Sequence, residues 1–406
     1  MLSYILLISV VGFFAFIQSS GFSDLKIVKY KKYLKPLSFV ILTVFIGLRY
    51  KVGADWFQYL SYYNNVEGLG TIIFNAKNAP YFYDHNWEPA FKLLCAITKS
   101  LGISFQGLVL LITTFNLYSL NKFVSKYLSG DACIFIVLFL SLNMLREFDI
   151  LRQSLAFYIL LFAYEYINKN FLKYLLICFL ASLFHISALI FVPAYIFFRW
   201  RVSRKVLIAI FFMFLGSLIF KFGVLSIIVN IFETILPGDT SAFFFHQIKL
   251  YLEFYPVHSN VNFVTLLSLG LLAILILNYK KINTFDPKFI VLFVIFIIIS
   301  ILFAEVGEVQ SRFGYFFSTG LVYCVARSLI FYKRYTKMVY VICIVLYSNI
   351  KVILPLRLEA TLLTYTPYRN YIFYMDQNEA TEKEILLRYN KAQELSRDFF
   401  NDNIEN

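Results

Sequence analysis

Apolar runs that approach the length of a membrane span recur along nearly the whole chain, and no polar block the size of a soluble domain separates them. Hydrophobic residues make up 60% of the sequence and charged residues only 15%, which excludes an ordinary soluble globular domain. A transmembrane barrel would show segments of about ten residues with alternating hydrophobicity, a pattern that this sequence lacks. The sequence therefore predicts an all-α, polytopic integral membrane protein.

The apolar runs accommodate about 12 transmembrane helices, within limits of about 10 and 14. We place them near residues 3–20, 34–49, 103–122, 131–147, 150–167, 171–184, 185–198, 206–222, 261–279, 289–304, 313–331 and 337–354. The stretch 171–198 is too long for one simple span and short for two, so we expect a kinked or broken hairpin that turns near His185. The first run lacks a basic n-region and a small-residue cleavage site, which favours a retained span over a signal peptide.

Lysine and arginine residues are concentrated in every second connection between these spans. The basic clusters are Lys26 to Lys35, Lys122 and Lys126, Lys169 and Lys173, Arg199 to Lys205, Lys280 to Lys288, and Lys333 to Lys337. The positive-inside rule makes those connections cytoplasmic, so the N-terminus and the long connections 50–102 and 223–260 lie outside. An amphipathic or re-entrant helix near 88–101 fits within the first of them. The same rule accounts for the net charge of +13 without a nucleic-acid partner.

Several kinds of chemistry find no support in the sequence. The five cysteines stand singly in apolar stretches, which indicates neither a disulfide framework nor a zinc site. The sequence contains no P-loop, no G-x-G-x-x-G, no G-x-S-x-G and no H-E-x-x-H. It also has no D-x-D pair that would hold a metal ion against a nucleotide diphosphate. These absences argue against ATP hydrolysis, the use of nucleotide sugars, and a bound cofactor or metal.

Charged residues cluster at the predicted outer ends of five segments that are distant in sequence. The segment GLRYKVGAD brings Arg49 and Asp55 to the outer mouth of the second span. Similar clusters lie within residues 81–91, 145–153, 184–187 and 304–317. A charge inside the bilayer costs on the order of 2.5–3.5 kcal/mol on insertion scales, so such residues usually line a cavity or meet a partner. We therefore favour one buried polar site that faces outward over a scatter of unrelated helix-end charges.

Two clusters of the first outer connection each allow a structural and a functional interpretation. The segment DWFQ (55–58) has the form of a capping box, so Asp55 either begins an interfacial helix or edges a pocket. In YFYDHNWEPAF (81–91), a carboxylate directly before Pro89 indicates a helix start that the helix dipole favours. The same segment also resembles an acid/base and sugar-binding surface, formed by Asp84, His85, Trp87 and Glu88.

One cluster combines two arginines with one acid. Arg146, Asp149 and Arg152 follow each other at a spacing of three, which predicts a ladder of ion pairs on a single helix. Two arginines around one acid leave a positive surplus, and a guanidinium fork suits phosphate oxygens better than lysine does. Arg152 is therefore a candidate for contact with an anionic ligand.

Two further segments are ambiguous in the same way. His185 lies in a predicted outer turn, where an interhelical hydrogen bond and a proton-accepting or substrate-binding role are both open. Glu305, Glu308 and Arg312 fall at i, i+3 and i+7 of one helical face, and Glu308 can pair with Arg312.

Six segments of the chain occur in a characteristic order: GLRYKVGADWFQYL, WEPAFKLL, LRQSLAF, ASLFHISALIFVPAY, SRFGYFF and TPYRNYIF. This order resembles the EpsG family of bacterial polysaccharide polymerases, which are Wzy-type enzymes that polymerise O-antigen or capsule repeats. The resemblance covers about residues 40–374, and we assign residues 1–374 to one polytopic membrane domain. The polar tail 375–406 lies outside it and is typical of a surface helix or of disorder.

The resemblance implies a GT-C-like membrane glycosyltransferase that needs no metal ion. Such an enzyme moves the growing glycan from undecaprenyl pyrophosphate onto the sugar of an incoming lipid-linked repeat unit, at the outer face of the bacterial cytoplasmic membrane. Its partners are the donor and acceptor lipids and the bilayer, with a chain-length regulator and a flippase of the same pathway as further candidates. The resemblance does not identify the repeat unit, the linkage, or whether the product is O-antigen, capsule or exopolysaccharide.

Positions that match the family's motifs provide the candidate site residues. They are Arg49, Asp55, Glu88, Arg152, Gln153, His185, Arg312 and Arg369. The resemblance implies that the arginines and Gln153 bind the substrate and its pyrophosphate, and it leaves Asp55, Glu88 and His185 open as the catalytic base.

Two other functions remain as alternatives. A flippase or transporter of lipid-linked sugars would show charges along both halves of a pathway, whereas here they crowd the predicted outer side. An O-antigen ligase differs only in its acceptor, which the sequence does not reveal.

Overall fold

The computed structural model describes residues 1–20, 25–128, 130–220, 224–235, 262–375 and 379–405. Within these ranges the protein is almost entirely helical and forms no β-strand, apart from one isolated antiparallel bridge between Arg49 and Asn370. The all-α prediction is confirmed for this part of the chain. Two compact units are present: the first comprises Met1–Tyr195 with Arg334–Gln393, and the second comprises Ile196–Lys333 with Glu394–Asn406.

The α-helices follow each other along the chain with short connections. They are α1 (Leu2–Ser19), α2 (Leu25–Leu42), α3 (Trp56–Asn65), α4 (Leu69–Phe74), α5 (Pro80–Asp84), α6 (Pro89–Ser100), α7 (Phe105–Tyr127), α8 (Ala132–Asp149), α9 (Leu151–Ala163), α10 (Phe171–Ser182), α11 (Phe191–Phe197), α12 (Arg204–Phe220), α13 (Val224–Ile235), α14 (Phe263–Leu277), α15 (Pro287–Leu302), α16 (Gly307–Arg327), α17 (Arg334–Ile353), α18 (Glu359–Tyr365), α19 (Tyr371–Tyr374) and α20 (Glu379–Glu405).

In the first unit, α8 is the central helix. It packs against α1 and α17, while α9 packs against α7 and α10. Residues 132–140 of α8 are each at most 3% exposed, so this stretch is covered on every side. The chain leaves α8 at Asp149 and starts α9 two residues later, which places the charged residues 146–152 at one end of the bundle.

In the second unit, α15 and α16 pack along each other, and α12 packs against α14 and α15. The helices α15 and α16 lie close together at Gly320 of α16, where a Cβ atom would lie 2.3 Å from the backbone nitrogen of Phe293. Any larger residue at position 320 would push these two helices apart.

Four helices of the described residues are long and apolar enough to cross a membrane. They are Leu2–Ser19, Phe105–Tyr127, Val309–Phe331 and Arg334–Arg357, and five shorter apolar helices accompany them. The count of about 12 spans and the GT-C-like architecture stay predictions. Of the predicted outer connection 223–260, residues 224–235 form α13, and the remainder lies outside the described residues.

Two local predictions from the sequence are confirmed. The stretch 171–198 is a broken hairpin, in which α10 ends at Ser182 and a 3₁₀ turn at Ile186–Ile190 leads into α11. The short helix expected near 88–101 is α6, which has Glu88 at its N-cap position and Pro89 as its first residue.

The connection before the second predicted span is helical and not a loop. We expected the span to begin near residue 34, after a lysine-rich loop, but α2 begins at Leu25 and continues into a π-helical turn at Thr43–Gly47. The lysines of this region therefore lie in a helix, a conformation that lysine favours.

The sidedness of the connections can be measured directly. We expect reporter fusions at Lys32, Lys126, Arg201 and Arg334 to report the cytoplasm and a fusion at Asn75 to report the outside, because the basic residues crowd the former connections. A cytoplasmic signal at Asn75 would contradict the outward-facing site.

Candidate active site

Glu88 and Arg152 form an ion pair at the centre of the candidate site. Arg152 lies in the first turn of α9, and its Nη1 donates a hydrogen bond to Glu88 Oε2. Glu88 Oε1 accepts a hydrogen bond of 3.2 Å from the backbone N–H of Ile186. Both side chains are mostly buried, at 21% exposed for Arg152 and 15% for Glu88. One carboxylate thus joins the start of α6, the start of α9 and the turn after α10.

An aromatic cluster surrounds the Arg152 guanidinium. Its central carbon lies 4.7 Å from the ring centre of Trp87, an indole that also contacts the rings of Tyr59, Tyr62 and His85 at 4.5–5.1 Å. Burial raises the pKa of Tyr59 to about 12, although the positive charge of Arg152 acts in the opposite direction. Arg152 Nε is buried and has no hydrogen-bond partner among the described residues. The guanidinium is therefore only partly satisfied among the described residues, although it also interacts with Tyr59.

His85 belongs to the same cluster. Burial lowers its pKa, and the charges of Lys92 and Arg152 lower it further, so the imidazole is uncharged near neutral pH. Lys92 Nζ donates to the backbone carbonyl of His85 at 2.9 Å, which fixes the loop before α6.

His185 begins the 3₁₀ turn that contacts Glu88. Its Nδ1 lies 2.6 Å from Ser187 Oγ and accepts a hydrogen bond of 3.3 Å from the backbone N–H of Ser187. The residue that follows His185 donates to Glu88, so the structure brings His185, Glu88 and Arg152 into one neighbourhood. Gln153, next to Arg152 in α9, is only 2% exposed.

Asp149 and the turn before Asp55 form a second group of contacts. Asp149 Oδ1 accepts a hydrogen bond of 2.6 Å from the backbone N–H of Ala54, and Oδ2 accepts one from the Tyr365 hydroxyl. Gly53 has a φ of +123°, and a Cβ atom there would lie 2.8 Å from the Phe148 carbonyl oxygen. Only glycine tolerates both conditions, so the chain passes directly over the end of α8.

This geometry corrects the predicted ladder of Arg146, Asp149 and Arg152. The helix ends at Asp149, so Arg152 belongs to the next helix and pairs with Glu88. The predicted ion pair between Asp149 and Arg152 is wrong, because we assumed one continuous helix where the backbone breaks.

Asp55 stands at the start of α3, as the capping-box pattern indicated. Its side chain makes no capping hydrogen bond, however, and its carboxylate acts electrostatically on Tyr59 and Tyr389. Asp55 thus begins α3, as the structural interpretation predicted, and its functional role stays a prediction.

Arg49 and Arg369 hold backbone carbonyl groups. Arg49 is 0% exposed, and its Nη1 donates to Ile46 O at 2.7 Å while its Nη2 donates to Phe148 O at 3.2 Å. Arg369, at 5% exposed, donates from Nη2 to Lys51 O at 2.5 Å. Both arginines fasten the segment that precedes Asp55, an arrangement that favours positioning over direct contact with a ligand.

Arg312 belongs to the second unit, where it is an exposed residue of α16. The expected face of Glu305, Glu308 and Arg312 is wrong for Glu305, because α16 begins only at Gly307. Glu305 instead accepts hydrogen bonds from the backbone N–H and the hydroxyl of Ser226 in α13. The side chain of Glu308 lies outside the described residues.

Comparison with known proteins settles the family. The EpsG family model matches residues 32–370, which is most of the chain. The chain belongs to the EpsG family. This is a family of exopolysaccharide and O-antigen polymerase-type proteins, so the resemblance of the six segments is confirmed. No curated protein and no solved structure matches the chain.

All candidate residues lie within the EpsG match. Two tyrosines that contact the site were not predicted from the sequence. Tyr365 holds Asp149 and lies within the match, whereas Tyr389 reaches Ala54 from beyond its end. A single tyrosine in a chain with 30 of them gives no signal of its own. Only the segment TPYRNYIF, directly after Tyr365, pointed to this part of the EpsG chain.

Proposed function

We propose that this EpsG-family protein polymerises lipid-linked oligosaccharide repeat units into a surface polysaccharide, at the outer face of the bacterial cytoplasmic membrane. The observation that carries the proposal is the partly satisfied Arg152 guanidinium, held between Glu88 and Trp87. A cation beside an aromatic face suits a ligand that combines phosphate with sugar. Family membership supports the same class of reaction.

The proposed reaction is a single displacement. A hydroxyl oxygen of the acceptor repeat attacks the anomeric carbon of the donor glycan, and the bond between that carbon and the pyrophosphate oxygen breaks. The pyrophosphate leaves with the bonding electrons and its undecaprenyl chain, and the hydroxyl proton passes to a base. The displacement inverts the anomeric centre.

Arg152 stabilises the leaving group in this mechanism. Negative charge grows on the pyrophosphate as the bond breaks, and a fixed guanidinium in a site of low polarity stabilises it strongly. Glu88 orients Arg152, since both oxygens of its carboxylate already accept hydrogen bonds. An acceptor hydroxyl would have to displace one of those donors before Glu88 can act as the base.

Asp55 and His185 are then the two candidates for the base. Asp55 stands at the N-cap position of α3, and His185 sits one residue from the N–H that binds Glu88. General base catalysis typically contributes about 10²–10⁴-fold, so the loss of the true base should be visible. The polyprenyl chains would enter sideways from the bilayer, because they cannot leave it.

Exposed tyrosines next to the site offer a surface for the sugars. Tyr81 is 40% exposed and Tyr83 is 52% exposed, and the Tyr81 ring is nearly parallel to that of His85. Aromatic rings of this kind stack on the faces of sugar rings, so we assign the acceptor glycan to this side of Trp87.

The proposal is tested by the surface polysaccharide of cells that lack the gene. We expect an electrophoretic gel to show molecules that carry a single repeat unit, in place of the ladder of long chains. Complete absence of molecules that carry a repeat unit would instead support a ligase or a flippase. An unchanged ladder would contradict all three functions.

Metal independence is a separate prediction. We expect chain growth by the purified protein to be unchanged by EDTA, because a guanidinium takes the place of the divalent ion that usually holds a pyrophosphate. Activity that EDTA abolishes and magnesium restores would contradict this part of the mechanism.

A further inference from the structure

The C-terminal helix α20 lies on the segment that carries Asp55. The Tyr389 hydroxyl donates a hydrogen bond of 2.9 Å to the carbonyl oxygen of Ala54, and the Tyr389 ring lies 4.6 Å from the ring of Phe57. One residue earlier, Arg388 Nη2 donates to the carbonyl oxygen of Thr366 at 2.7 Å. The helix therefore contacts both segments that surround the Asp149 carboxylate.

Ion pairs hold the helix on either side of these contacts. Glu382 Oε1 lies 2.7 Å from Lys51 Nζ, and Lys391 Nζ lies 2.9 Å from Glu359 Oε1. The hydrogen bond and the charge of Lys51 lower the pKa of Glu382. Such exposed pairs are individually weak, so the specific contacts in the middle of the helix must provide most of the attachment.

The contacting residues share one helical face. Glu382, Ile385, Arg388, Tyr389 and Ala392 follow the spacing of three and four that places side chains on the same side of a helix. Ile385 and Ala392 are 4% and 2% exposed, although the helix as a whole is polar. This part of the tail is therefore a docked helix with a buried face.

The contact with Tyr389 completes a pair of hydrogen bonds that hold Ala54, the residue before Asp55. The backbone N–H of Ala54 donates to Asp149, and the carbonyl oxygen of Ala54 accepts from Tyr389. That carbonyl belongs to the peptide bond that joins Ala54 to Asp55. The residue before Asp55 is thus held through both of its backbone polar groups, and α20 supplies one of the two contacts.

We propose that residues Glu379–Gln393 of α20 belong to the catalytic unit. In this proposal, Tyr389 is a positioning residue for the turn that precedes Asp55. The family match ends at residue 370, so this element lies outside the matched region. The docking also places the C-terminal helix on the same side of the membrane as the connection 50–102, which the positive-inside rule predicts to be the outer side. The effect on activity rests on the proposed function, whereas the docking itself does not.

Docking is tested by a zero-length carbodiimide, which joins an amine to a carboxylate only when the two are in contact. In the full-length protein in membranes, we expect mass spectrometry to find an amide between Lys51 and Glu382, and to lose it in Glu382→Gln. Lys383→Gln is the matched control and should leave the link intact, because Lys383 is exposed on the same turn. No Lys51–Glu382 link in the wild-type protein would overturn the docking.

Positioning is tested by chain growth in the purified full-length variants. Tyr389→Phe keeps the ring on Phe57 but loses the hydroxyl, and Tyr389→Ala loses both. We expect turnover to fall about tenfold to hundredfold in Tyr389→Ala, with a smaller loss in Tyr389→Phe and with an unchanged KM for the lipid-linked repeat, since displacement of a catalytic group by about 1 Å has effects of this size. Lys383→Gln should retain full turnover.

Three outcomes would decide against the positioning role. They are full turnover in Tyr389→Ala, a loss that follows the amount of folded protein, and a loss confined to KM. If the wild-type protein makes no chains under any condition, the proposed function fails, and the carbodiimide link still decides whether α20 docks.

Discussion

Arg152→Ala is expected to lower the rate of chain growth by about 10²–10³-fold, the usual effect of removing a donor that stabilises charge in a transition state. Cells with this variant should accumulate single repeats while the protein stays in the membrane at its normal level. The reason is geometric: Arg152 is held by Glu88 through one nitrogen, and its buried Nε has no partner among the described residues. The measurement is the length distribution of the surface polysaccharide, normalised to the amount of protein.

Arg152→Lys separates ligand binding from the ion pair. Lysine keeps the positive charge beside Glu88 but lacks the planar guanidinium group. The substitution therefore weakens the binding of pyrophosphate much more than it weakens the ion pair. We therefore expect Arg152→Lys also to accumulate single repeats, and Arg146→Lys, on the preceding helix, to be nearly neutral. Wild-type chains in Arg152→Lys, or a defect that follows the loss of protein, would make Arg152 a structural residue.

Arg49→Ala is expected to have the largest effect on stability. The Arg49 guanidinium is fully buried and donates to the carbonyl groups of Ile46, Glu147 and Phe148. Each buried acceptor that loses its donor costs about 1–3 kcal/mol, and marginal stability makes the sum a large fraction of the total. The amount of folded protein should fall sharply and its melting temperature should drop.

The matched control for Arg49 is Arg201→Ala, because Arg201 is exposed and its loss should leave both the protein level and the melting temperature unchanged. Normal folding combined with lost activity in Arg49→Ala would contradict the structural role. It would instead support binding of pyrophosphate by Arg49, as the family resemblance implies.

The sequence predicted the regular parts of this protein well. Apolar runs are continuous and long, so the positions of α1, α7, α8 and α17 follow from hydropathy alone. The start of α6 at Pro89 and of α3 after Asp55 followed from local capping signals, which depend on only a few neighbouring residues.

The partners of the charged residues were harder to predict than the helices. The break at Ile150 moves Arg152 from Asp149 to Glu88, a residue 64 positions away, and no local pattern indicates such a contact. Arg49 and Arg369 illustrate the same difficulty. Arg49 reaches Phe148 and Arg369 reaches Lys51 in other segments, and a carbonyl group has no sequence signature.

The most direct test of the account is chain growth by the purified protein in lipid vesicles, supplied with lipid-linked repeats extracted from cells that lack the gene. We predict that the wild-type protein converts single repeats into a ladder of longer lipid-linked chains and releases undecaprenyl pyrophosphate, without nucleotide and in the presence of EDTA. Arg152→Ala in the same vesicles should leave the single repeats unchanged. Single repeats that stay single with the folded wild-type protein, or that only cross the bilayer, would contradict the account.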